Sequence, residues 1–78
     1  MDLSKNEFNA LCDLMNGHLW FEEFDPKEEI FLSLQYSKRE ISTKWEIDGS
    51  LLLSKINSLT KKDSIDLKNK IIKFWEDK

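Results

Sequence analysis

Pro26-Lys-Glu-Glu-Ile30-Phe-Leu-Ser-Leu34-Gln-Tyr36-Ser-Lys-Arg-Glu-Ile41-Ser-Thr-Lys-Trp45-Glu-Ile47 decides the fold, because its apolar residues can be read in two ways. At about 100° per residue, Ile30, Phe31, Leu34, Ile41 and Trp45 fall within one arc of a helix, and Leu32 and Tyr36 lie off it. The same residues also alternate: Ile30, Leu32, Leu34 and Tyr36, then Ile41, Thr43, Trp45 and Ile47. Since β-branched and aromatic side chains favour strands, residues 29–47 could form a hairpin turning at Ser37 to Glu40. Two signals favour the helix. Asp25-Pro26-Lys27-Glu28 is a helix start, with Asp at the cap and Pro at the first helical position. The turn lacks the Gly or Asn of a tight hairpin.

Working back from this stretch, Ser4 and Glu7 have the spacing of a capping box, with Leu3 and Phe8 at the positions of a hydrophobic staple. Phe8, Leu11, Cys12 and Met15 recur at i, i+3, i+4 and i+7, and Gly17 stands where a left-handed residue ends a helix. A helix over about Lys5 to Asn16 follows. Working forward, Asp48-Gly49-Ser50 interrupts the pattern and caps a helix over about Leu51 to Ser58, which buries Leu52, Ile56 and Leu59. Thr60 caps a last helix with Asp63 three residues on. Its apolar residues, Ile65, Leu67, Ile71, Ile72, Phe74 and Trp75, cover about half the circumference, wide enough to serve a core and a partner together.

The expected fold is therefore all-α, a small bundle of three to four short helices forming a single helical domain over residues 1–78. An α+β form with the hairpin is the alternative. Seventy-eight residues, 40% hydrophobic and 35% charged, suit one domain with one modest core. No apolar run exceeds three residues, far short of the ~20 that cross a membrane. The single cysteine and the absence of a basic-then-apolar leader lead us to expect a cytoplasmic protein.

The side chains restrict the chemistry. One His and one Cys cannot assemble a zinc site, so no metal is expected. Two glycines cannot build a phosphate-cradling loop, and no nucleotide or other cofactor is expected. Glu22-Glu23 and Glu28-Glu29 are adjacent acids rather than carboxyls held in a cleft with separated pKa values. Cys12 reads as a small core residue and His18 as a helix-end or loop residue. Catalysis is not expected.

Charge is distributed unevenly along the chain. Residues 1–31 hold eight acids against Lys5 and Lys27, whereas residues 32–78 hold ten bases against seven acids. Five of the acids lie within residues 22–29, interleaved with aromatics in His18-Leu-Trp-Phe-Glu-Glu-Phe-Asp-Pro-Lys-Glu-Glu-Ile-Phe31. Aromatics anchor interfaces and acids steer basic partners, so Trp20 and Phe24 are candidate anchors and Glu22, Glu23, Glu28 and Glu29 candidate steering groups. The competing reading has Trp20, Phe21 and Phe24 plugging the core, with the glutamates as its wet edge. Trp45, Phe74 and Trp75 share that ambiguity.

The function expected from these residues is that of a small acidic protein-binding module, an inhibitor, adaptor or immunity-type antagonist of a larger protein with a basic surface. A helix-turn-helix DNA-binding regulator is an alternative, weakened by the charges of the last helix: Lys62, Lys70 and Lys73 are offset by Asp63, Asp66, Glu76 and Asp77. Arg39 is the only arginine available to read bases. A homo-oligomeric structural module, a homodimer for example, is the other.

Overall fold

A computed structural model describes residues 2–77, and it is all-helical. The four helices are α1 (Lys5–Leu14), α2 (Pro26–Trp45), α3 (Gly49–Asn57) and α4 (Lys61–Glu76). No strand forms among the described residues. The hairpin alternative for residues 29–47 is thereby overturned, and the reason lies in which side chains are covered. Alternation would put Ile30, Leu32, Leu34 and Tyr36 on one face. Instead Ile30 and Leu34 are fully buried, while Leu32 is 52% and Tyr36 95% exposed.

Three of the four helices, α1, α3 and α4, start on a side-chain cap. Ser4 and Glu7 make the complete capping box of α1: the Glu7 N–H donates to Ser4 Oγ (3.1 Å) and the Ser4 N–H to Glu7 Oε1 (2.8 Å). Asp48 Oδ1 accepts from the Ser50 and Leu51 N–H groups, so α3 begins two residues before the expected Leu51. Thr60 Oγ1 accepts from the Asp63 N–H. α1 ends at Leu14, two residues short of expectation, and Gly17 takes the left-handed conformation (φ 72°) just beyond it. α2 is broken but not ended at Ser37 (φ −109°, ψ 15°).

The core contains Ala10, Leu11, Cys12 and Met15 from α1, Ile30, Leu34 and Ile41 from α2, Leu52 and Ile56 from α3, and Leu67 and Ile71 from α4. α2 packs on each of the other three helices, and α1 also packs on α4. Gly49 allows a close approach at the α2–α3 junction. Its N–H donates to Ser42 Oγ (3.0 Å), whose own hydroxyl donates to the Lys38 carbonyl (2.7 Å). A Cβ at Gly49 would collide with the Ser42 hydroxyl and the Lys38 side chain.

Polar ties fix α1 in place. Lys55 of α3 reaches Glu7 Oε1 (2.7 Å), and Lys44 of α2 reaches Asp13 Oδ2 (2.8 Å). The Trp45 indole N–H donates to Asp13 Oδ2 (3.0 Å) and that of Trp75 to the Cys12 carbonyl (2.8 Å). Both tryptophans are half-buried against the core.

Candidate functional site

The aromatic and acidic stretch forms the connection between α1 and α2, and one residue gives it its shape. Glu29 lies in the first turn of α2, on a flank of the helix rather than on its outer face. Its carboxylate bonds His18 Nε2 through Oε2 (2.8 Å) and accepts the Phe21 N–H through Oε1 (2.8 Å). The connection is therefore folded over the start of α2. A reverse turn follows, in which the Phe24 N–H donates to the Phe21 carbonyl.

This clamp sets Glu29 apart from the other expected steering acids. Glu29 was grouped with the steering acids, but its residue is only 6% exposed and both of its carboxylate oxygens are engaged. A carboxylate that holds its own loop cannot also meet a partner, because moving it into contact would leave the Phe21 N–H unpaired. His18, expected at a helix end or in a loop, lies in the loop and is the other half of the clamp.

The clamped loop has two faces. On the inner one, Trp20 is half-buried, edge-to-face with His18 (5.1 Å between centroids) and beneath the Lys68 ammonium (5.4 Å). It flanks a shallow groove with Met15, Ile71, Ile72 and Trp75. On the outer face, Phe21 and Phe24 form an edge-to-face pair (6.4 Å) and are 51% and 43% exposed.

Glu22, Glu23, Asp25 and Glu28, which flank this pair in sequence, are all exposed. None of the four side chains makes a hydrogen bond or ion pair with another described residue. Asp25, although it stands at the cap of α2, makes no side-chain capping bond. The loop thus presents four unpaired carboxylates and an aromatic pair, with Lys27 as the nearest opposing charge in sequence.

Phe24, Glu22, Glu23 and Glu28 are exposed, Trp20 is half-buried, and Glu29 is drawn inside. Phe21 and Asp25 belong to the surface and were not among the expected site residues. Only the direction of the loop separates Phe21 from Trp20, and sequence spacing does not encode it.

Away from the loop, Glu7, Asp13 and Cys12 are held within the packed structure. Burial alone would raise the Glu7 carboxyl, but Lys55 and Ser4 outweigh it and hold the carboxyl below its ordinary value. Lys44 and the Trp45 indole do the same for Asp13 against a smaller effect of burial. Burial pushes the Cys12 thiol up to about 11, where the thiolate needed for nucleophilic chemistry is scarce at neutral pH. Among the described residues no three His, Cys, Asp or Glu side chains converge to hold a metal ion, and no helix is long and apolar enough to cross a membrane.

No family model matches this chain, and no curated protein or solved structure matches it.

Proposed function

We propose that the chain is a protein-binding module that docks on the basic surface of a larger protein through the α1–α2 loop, acting there as an inhibitor or adaptor. The observation that carries this reading is the set of four unpaired, exposed carboxylates that flank the exposed Phe21–Phe24 pair in sequence. Exposed aromatics supply the contact area of an interface, and a field of one sign steers a partner of the other. The Glu29 clamp adds pre-organisation, since a loop already held in shape loses less conformational freedom on binding.

A DNA-binding role finds less support. α3 and α4 pack on α2 more than on each other, unlike the paired helices of a helix-turn-helix unit.

The test begins by placing a photo-crosslinking residue at position 24 to capture and identify the partner. Affinity of that purified partner is then measured for the wild type and for the Glu22→Lys/Glu23→Lys/Glu28→Lys variant over a range of salt. A loss of at least about tenfold, with a flatter salt dependence, is expected from three reversed charges. Equal affinity and equal salt dependence would end the proposal.

A further inference from the structure

The outer face of α2 carries an apolar strip that the partner-binding loop does not use. Leu32 and Tyr36 are four residues apart and therefore neighbours on the helix surface. Tyr36 is the most exposed large hydrophobic residue described. Glu28 lies one turn before Leu32 and Arg39 three residues after Tyr36, both exposed, and neither side chain pairs with another described residue. The strip thus reads acid, leucine, tyrosine, base.

That order is self-complementary. The midpoint of Glu28 and Arg39 falls between residues 33 and 34, and that of Leu32 and Tyr36 falls at residue 34. A two-fold axis crossing α2 there would set a second α2 antiparallel to the first, with Leu32 against the other copy's Tyr36 and Glu28 opposite the other copy's Arg39. Glu28 and Arg39 stand one before and one after the Ser37 break, eleven residues apart, so the two symmetric pairings close on either side of the axis. Isologous contacts of this kind give closed dimers.

We propose that the chain forms a homodimer through the outer face of α2, with an antiparallel register set by two symmetric Glu28–Arg39 pairs around the Leu32 and Tyr36 contacts. The dimer rests on Leu32, Tyr36 and Arg39, which have no part in the loop's partner reading, and shares only Glu28 with it. One helix face buries little area, so the association is weak and belongs to high protein concentration.

Sedimentation equilibrium or light scattering over a concentration series, up to about millimolar, tests this on the wild type, Glu28→Arg, Arg39→Glu and the doubly exchanged variant. Each single reversal sets like charges against each other twice and is expected to lower the association constant about tenfold, whereas the double exchange restores it. Thermal melting at low concentration, where every variant is monomeric, should change only by the small loss that a base in the first turn of α2 causes, because both side chains are exposed. A chain that stays monomeric throughout overturns the proposal. So does a dimer indifferent to the single reversals, or one that the double exchange does not restore.

Discussion

Glu46 and Gly49, three residues apart, show how much a single backbone position can demand. Glu46 ends α2 in the left-handed region (φ 52°), where a side chain crowds the following carbonyl and glycine does not. Glu46→Gly is expected to raise stability by about 0.5–1 kcal/mol, read as a higher melting temperature. Gly49 has the opposite requirement. Gly49→Ala pushes a methyl into the Ser42 hydroxyl and the Lys38 side chain, and is expected to cost about 1–3 kcal/mol in denaturant unfolding. Nothing in the spacing of Asp48-Gly49-Ser50 distinguishes a glycine that breaks a pattern from one that lets two helices touch. The capping residues are different, because Ser4, Asp48 and Thr60 act on N–H groups within three residues of themselves, and such bonds are visible in sequence.

Between elements, the ties that matter are those local spacing cannot reveal. Glu7 pairs with Lys55 across 48 positions, and Asp13 with Lys44 and Trp45 across about 30. The Glu29–His18 pair is hidden for the same reason, since its two members lie eleven residues apart and adjacent glutamates look alike in sequence. What could be read was the periodicity. Leu32 and Tyr36, off the helical arc of Ile30, Leu34 and Ile41, are the large apolar residues of α2 that emerge into solvent. The cross-element pairs have a consequence in acid. Glu7 and Asp13 have folded-state pKa values held below their ordinary ones. Their contribution to stability is therefore complete above the unfolded carboxylate range of about 4, and is lost as pH falls through the lowered folded values. Unfolding free energy measured from about pH 6 down to pH 2 should decline. The Glu7→Gln/Asp13→Asn variant should be less stable at neutral pH and show a flatter decline. A slope identical to that of the wild type would remove these two groups from the account.

For the molecule as a whole, the core is small and every helix contributes to it, so the chain should unfold in one step. Cys12, fully buried, reports on that step. A thiol reagent should label it only as fast as the structure opens, with the labelling rate rising in denaturant alongside loss of helix. Fast labelling of the native chain would show that α1 leaves the core separately. The arrangement around α2 also implies an order of release. A helix that packs on all three others loses its cover only when every one of them has gone, whereas α3 is held mainly from one side. Backbone amides about Leu34 should thus exchange with solvent deuterium last of all, at the rate set by global unfolding. Those of α3 should exchange ahead of them, and earlier still those of Leu19, Trp20, Glu22 and Glu23, which lie outside the helices, while the Phe21 amide bonded to the Glu29 carboxylate lags behind its neighbours.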